Sequence, residues 1–392
     1  MAFQYDLDRT VDRAGTFSVK WDCLPAGAPA DALPLWVADM DFPCAQPILE
    51  ALHVRVDRRI FGYTNYEDPQ VKGAVAGWYQ KRFGWEVEPG DIFYSPGVVP
   101  AIAFLLDILT EEGDGVVIQR PVYYPFTKKI EAAGRRVVNN PLRYEDGAYS
   151  MDFDDLEEKR ARPDVKGMIL CSPHNPVGRV WTPEELSRTA ELAARYGKWI
   201  ISDEIHGDLV RRGVTHHPLL QVCPQHRDRI IVCTAPSKTF NLAGLQLSNI
   251  VIQNPAWQAA WQELVAGRYG IMDASPLSLA AMTAAYTQGE DWLDQVLDYL
   301  DGNVEFARRF LAERLPAARL ADPQGTYLLW VDLRAYCPNP GELEDRMLHR
   351  AGVALDEGYI FGEEGAGFER INAACPRSLL ERCLQRMAEA LG

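Results

Sequence analysis

The sequence predicts an α/β protein: a mostly parallel sheet flanked by helices, with a smaller α+β part. Three observations predict it. Short apolar runs alternate with longer helical patterns through the middle of the chain. Several of those runs end in polar residues of chemical interest. After about Glu290 the texture changes to a long helical pattern, one apolar run and an amphipathic tail.

The candidate strands are Gly115–Gln119, Arg136–Asn139, Gly167–Ser172, Lys198–Ser202, Arg229–Thr234 and Ser248–Gln253, with a shorter run at Ile92–Ser95. Between them, Val122–Ala133 and Thr182–Tyr196 read as helices. The second has a complete start signal, with Thr182 as N-cap, Pro183 in the first helical position and Glu185 closing a capping box. In the last part, a helix is expected from Asp291 towards Glu313, a strand at Tyr327–Leu333 and a helix from Pro376 to Leu391. The division expected from this is a large α/β domain over 51–289, and a small α+β domain over 290–392 that packs with the N-terminal segment 1–50.

Composition narrows the function. The 392 residues are 47% hydrophobic and 24% charged, the balance of a globular protein with a sizeable core. The net charge of −15 repels phosphate backbones and anionic headgroups, which argues against nucleic acid and membrane partners. The amino terminus lacks a basic region followed by an apolar run, and no stretch approaches the ~18 apolar residues of a spanning helix. Cysteines at positions 23, 44, 171, 223, 233, 337, 375 and 383 form no C-x-x-C pair. Reduced thiols in a cytoplasmic protein are expected, without disulfides or a structural metal. His216-His217 has no carboxylate or cysteine at ligand spacing and reads as a loop feature.

In open parallel sheets, ligands bind beyond the carboxyl ends of the strands. Here one candidate strand leads into Asn175, the next into Asp203 and a third into Lys238. If these strands are neighbours, the three side chains converge. The trio suits a pyridine-ring cofactor bound through an aldehyde. A lysine forms the imine, a carboxylate keeps the ring nitrogen protonated, and an amide donates to the phenolic oxygen. Taken singly, each residue has a bland reading: a helix cap for the Asp, a solvated charge for the Lys and a turn for Asn-Pro.

Three stretches carry a specific resemblance: Ser172-Pro173-His174-Asn175-Pro176-Val177-Gly178, Ser202-Asp203-Glu204-Ile205-His206 and Ser237-Lys238-Thr239-Phe240-Asn241. They resemble the signatures of fold-type I pyridoxal-phosphate enzymes, the aspartate aminotransferase superfamily. Within it the chain is similar to the MalY/PatB branch of cystathionine β-lyases, also through Leu35–Phe42, Phe61-Gly62-Tyr63-Thr64, Ala235–Gly244 and Phe368–Arg377. The resemblance runs from about residue 3 to the C-terminus.

It implies pyridoxal 5′-phosphate as cofactor and a role for each matching residue. Lys238 carries the cofactor and acts as base at the substrate Cα. Asp203 pairs with the ring nitrogen and Asn175 reaches the phenolic oxygen. Tyr123 stacks on the ring, with Tyr124 as its close rival. The phosphate is expected at Gly97, Val98 and Val99, where a helical pattern opens and free N–H groups favour an anion, with Ser237 supplying a hydroxyl. The resemblance assigns Tyr63 to the phosphate of a neighbouring subunit, hence a homodimer with a shared site. Arg370 grips the substrate carboxylate, and Ala38 and Asp39 lie on the segment that closes over it.

The aminotransferase pattern is departed from twice. His206 stands three residues after Asp203 in place of a tyrosine, and Gln246 stands eight residues after Lys238 in place of a phosphate-binding arginine. His206 agrees with the MalY/PatB branch, where it either tunes the phenolic oxygen or is structural. The expected activity is cleavage of the Cβ–S bond of L-cystathionine or a related S-substituted cysteine, giving a thiol, pyruvate and ammonia. The alternatives are an aminotransferase, or an enzyme with an added transcription-regulatory binding role.

Overall fold

A computed structural model describes residues 4–392. The first three residues, on which the reading of the amino terminus partly rests, lie outside the described residues. The expected α/β architecture is found. Seven strands form the main sheet: β1 (Ile92–Ser95), β2 (Gly115–Ile118), β3 (Arg136–Asn139), β4 (Val165–Cys171), β5 (Trp199–Asp203), β6 (Ile230–Thr234) and β7 (Ser248–Ile252). Their order is β1-β7-β6-β5-β4-β2-β3. Every pairing is parallel except the two made by β7, which runs against both β1 and β6. All residues of β4, β5, β6 and β7 are buried apart from Lys166, as expected for strands covered on both faces.

The helices that cover the sheet follow from local signals. Helix α1 (Gln46–Asp57) packs against α6 (Pro276–Gln288), and α2 (Pro69–Phe83) is capped by Asp68 at one end and stopped by Gly84 in the left-handed region at the other. Helix α3 (Val98–Leu109) lays Val98, Ala101, Ile102, Leu105 and Leu106 on the sheet. The capping box of Thr182 and Glu185 is present at the start of α5 (Pro183–Arg195). Helix α4 (Pro125–Ala132) begins three residues later than the sequence pattern suggests. Val122 and Tyr123 spend their backbone N–H groups on distant carbonyls, those of Phe361 (3.0 Å) and Asn175 (3.0 Å), and so stay in an irregular loop.

A second sheet of four strands has the order β8-β9-β11-β10, all pairs antiparallel: β8 (Arg319–Leu320), β9 (Leu328–Asp332), β10 (Asp356–Glu357) and β11 (Phe368–Asn372). Helices α7 (Glu290–Arg314) and α8 (Arg377–Leu391) pack together beside it. The amino-terminal chain joins this part, because Leu33–Pro34 pairs in parallel with Val353–Ala354 and Leu35 is in the same apolar cluster as Leu329, Ile371 and Leu384. Among the described residues, no helix is long and apolar enough to cross a membrane.

Candidate active site

The register of the main sheet fixes the site. Cys171 at the end of β4 pairs with Asp203 at the end of β5, and Asp203 pairs with Cys233 of β6, so the three strands finish at one level. The chain beyond each end carries Asn175, the Asp203 carboxylate and Lys238 to the same side. Together they line a cavity of about 190 Å³. Its wall also holds Ala38, Gly97, Val98, Val99, Tyr123, His206 and Ser237, along with Cys171, Ile205, Ala243 and Gln246.

Three of the sequence-expected residues do not line this cavity. Arg370 stands behind the wall, with Nη1 donating to Asn175 Oδ1 (3.1 Å), Nη2 donating to the Trp36 carbonyl (2.9 Å), and a buried ion pair to Asp356. Asp39 turns outward to Arg13 (2.8 Å). Tyr63 is 99% exposed and touches no part of this chain's own cavity.

The Asn175 side chain is oriented by chemistry as well as by packing. A guanidinium only donates, so the amide oxygen must face Arg370 and both amide hydrogens are left for the cavity. The Lys238 Nζ donates to the Ala38 carbonyl at 2.7 Å, and the Tyr327 hydroxyl donates to the same oxygen at 2.7 Å.

Electrostatics set the groups apart. Burial pushes Lys238 down to about 8, helped by the charge of Arg370 and opposed by Asp39 and Asp203. A lysine there is partly unprotonated near neutral pH and can act as nucleophile or base. Burial pushes Asp203 up to about 7. One of its oxygens accepts from the Ile205 N–H (3.1 Å), and no cation stands within ion-pair reach among the described residues. Burial, then Lys238 and Arg370, hold His206 well below its ordinary value, so its imidazole is neutral. Its ring meets Tyr327 edge-on at 5.9 Å, and Nδ1 has no protein partner among the described residues.

At the other end of the cavity, helix α3 opens at Gly97 without a side-chain cap. Its first N–H groups and Ser237 face the space. Apart from Lys238, the lining contains no cationic side chain.

These donors fit pyridoxal phosphate. A protonated ring nitrogen would pair with the Asp203 carboxylate, which has no cation of its own among the described residues. The Asn175 amide would meet the phenolic oxygen, Lys238 the aldehyde, the Tyr123 ring one face and the α3 N-terminus the phosphate.

The aminotransferase class I and II family model matches residues 31–387. Cystathionine beta-lyase PatB of Bacillus subtilis (strain 168) is 43% identical over 387 residues, spanning 98% of this chain and 100% of that protein. This chain belongs to the class I and II aminotransferase family, in its MalY/PatB branch. Protein MalY of Escherichia coli (strain K12) is 36% identical over 388 residues, 99% of each chain. The crystal structure of cystalysin from Treponema denticola, which contains a pyridoxal 5′-phosphate cofactor, matches with a TM-score of 0.96 at 36% identity, covering 99% of each chain.

Within this family the sequence pattern left two neighbours of the site unread. Asp356 holds Arg370 across the β10–β11 pair, where the two are register partners. Tyr327 supports the Ala38 carbonyl from the start of β9. Neither belongs to a motif near the strand ends. Only the distant strand pairing exposes them.

Proposed function

We propose that this protein is a pyridoxal-phosphate-dependent C–S β-lyase. It cleaves L-cystathionine or a related S-substituted cysteine, consuming water and releasing a thiol (homocysteine from cystathionine), pyruvate and ammonia. The observation that carries the reading is the convergence of Lys238, Asp203 and Asn175 from three register-matched strands, in a chain similar over its whole length to named cystathionine β-lyases.

Bound pyridoxal phosphate supplies an aldehyde for the substrate amine and a ring that accepts the electron pair left at Cα. The chain supplies the rest. Asp203, buried and without a cation of its own among the described residues, would hold the ring nitrogen and keep the proton there. Asn175 donates its amide N–H to the phenolic oxygen, and His206, neutral and without a protein partner on Nδ1, faces the same region. Tyr123, on the cavity wall, would pack against one face of the ring. Arg370 captures the substrate carboxylate and so turns the Cα proton towards Lys238. Lys238 Nζ takes that proton, and the β-thiolate leaves. Ala38 and the backbone leading to Asp39 would close the carboxylate end against water.

Pyruvate release from L-cystathionine with no keto acid present is the test. Its absence, with amino-group transfer to an added keto acid in its place, would make the chain an aminotransferase. Replacing Arg370 with Lys keeps the charge but not the planar two-pronged donor. A loss of about 2–4 kcal/mol in kcat/KM is expected, the cost of truncating a buried charged pair. Steady-state kinetics would remove Arg370 from the site if the loss stayed below about 0.5 kcal/mol.

The same reading makes the protein a homodimer with Tyr63 reaching the partner's phosphate site. Tyr63, with Ile60 and Phe61 exposed at 70% and 56%, forms an apolar stretch that wants cover. Tyr63→Ala and Lys238→Ala, each severely impaired alone, should complement after subunit exchange. Half of the dimers are mixed and each has one intact site, so roughly a quarter of wild-type activity is expected. No recovery in dimers shown by mass to be mixed would place Tyr63 outside the partner's site.

A further inference from the structure

The segment Leu35–Asp41 runs between the active site and the amino-terminal chain. On its inner side, Asn372 Nδ2 donates to the carbonyls of Val37 (2.8 Å) and Asp39 (2.6 Å), and the Ala38 carbonyl receives Lys238 and Tyr327. Asn241, in the left-handed region at φ 57°, accepts from the Met40 N–H (3.0 Å) and donates to the Met40 carbonyl (2.9 Å). On its outer side stands an ion quartet. Arg13 spreads its guanidinium over both Asp39 oxygens (3.0 and 2.8 Å) and one Asp41 oxygen (2.7 Å). Lys20, wholly buried, donates to the other Asp41 oxygen (2.7 Å) and stands 3.7 Å from Asp39. The Trp21 indole donates to Asp41 (2.9 Å).

We propose that Arg13 is a positioning residue of the active site: by pairing with Asp39 and Asp41 it holds the 38–41 segment so that the Ala38 carbonyl meets Lys238 Nζ, and it turns the Asp39 charge away from that nitrogen. The proposal rests on the reading of Lys238 as the reacting lysine. Two carboxylates face two cations in the quartet, so the group is neutral as it stands. Without Arg13 one carboxylate is uncompensated, and Asp39 is the one held more loosely by Lys20. Asp39 already favours the charged form of Lys238. The other charged or titratable groups facing Lys238 are Asp203 from β5, His206 from the turn after it and Arg370 from β11. The Tyr123 and Tyr327 hydroxyls face it as well. None of these partners changes when Arg13 is replaced.

Loss of a partly buried ion pair can lower stability whatever its other role, so the decisive readout is not melting. The test is the pH titration of the cofactor absorbance band in the holoenzyme, which reports protonation at the Lys238 nitrogen. Arg13→Gln, which removes the charge, should move the midpoint upward by roughly 0.5–1 pH unit, the order of one uncompensated charge in a partly screened interior. Arg13→Lys, which keeps the charge, should stay within about 0.2 unit of wild type, well under the shift from one lost charge. Adding Asp39→Asn to Arg13→Gln should return the midpoint towards wild type. Arg386→Ala removes an ion pair from the amino-terminal chain at Asp31, which shares no residue with the quartet, and should shift nothing. Equal midpoints in all variants, or equal shifts in the Gln and Lys variants, would overturn the proposal. If wild type shows no band with pyridoxal phosphate, the functional reading fails instead. The pH dependence of Lys238 acylation, read by mass spectrometry in the same full-length variants, then decides the positioning role alone.

Discussion

Lys238→Ala is expected to lose at least ~10⁴-fold in turnover, because in the proposed reaction one side chain is both the nucleophile that carries the cofactor and the base at Cα. The fold should survive. The Ala38 carbonyl keeps Tyr327 as donor when Lys238 is gone, so no buried acceptor is orphaned. A lysine pushed down to about 8 should also be the one amine that borohydride fixes to the cofactor. Pyruvate assays under single-turnover conditions measure the loss, and peptide mapping of the reduced protein locates the label. A label on any other lysine would defeat the assignment.

Asp203→Asn should lower kcat by about 10²–10³-fold, the usual cost of removing one preorganised electrostatic partner from a buried site. The substitution is nearly isosteric. The amide oxygen can still accept from the Ile205 N–H, and the desolvated carboxylate that burial pushes up to about 7 is removed. Stability of the cofactor-free protein should therefore hold or rise slightly at pH 8. The sign follows from linkage: a carboxyl raised in the fold costs stability as pH climbs above its ordinary value, and that cost is complete above about 7. A fall in kcat with an unchanged melting temperature identifies a chemical role. An unchanged kcat would make Asp203 a strand-end cap.

Much of this site was legible in the sequence, because its central groups follow directly from strand ends. Apolar runs located β9 and the strands of the main sheet to within one or two residues, and Asn175, Asp203 and Lys238 were the polar residues at or just beyond their ends. The start of α5 was legible for a similar reason, since a capping box is local. What long-range pairing decides was not. Val122–Tyr124 looks helical alone, yet Phe361 and Asn175 claim its N–H groups. Asp356 meets Arg370 only because β10 and β11 pair. Helix α6 carries no amphipathic stripe to read, with Ser278, Leu279, Ala281, Met282, Ala284, Ala285 and Tyr286 all buried. Arg13 sits in an irregular segment and Lys20 in a single helical turn, and their charges gain meaning only where the chain folds back on Asp39 and Asp41.

The opening of α3 offers an anion backbone N–H groups, the Ser237 hydroxyl and a helix end, with Gln246 on the wall where an arginine was looked for. Short hydrogen bonds inside a cavity are little weakened by dissolved ions, whereas exposed charge pairs fade within a Debye length of ~8 Å at physiological ionic strength. Cofactor retention should thus be tolerant of salt. A neutral cradle, however, grips a dianion less firmly than a guanidinium does. On the proposed dimeric reading, occupancy then leans on the link to Lys238 and on whatever a second subunit adds. By mass action, such a dimeric holoenzyme would shed its cofactor on dilution, as subunits part, more readily than on raising ionic strength.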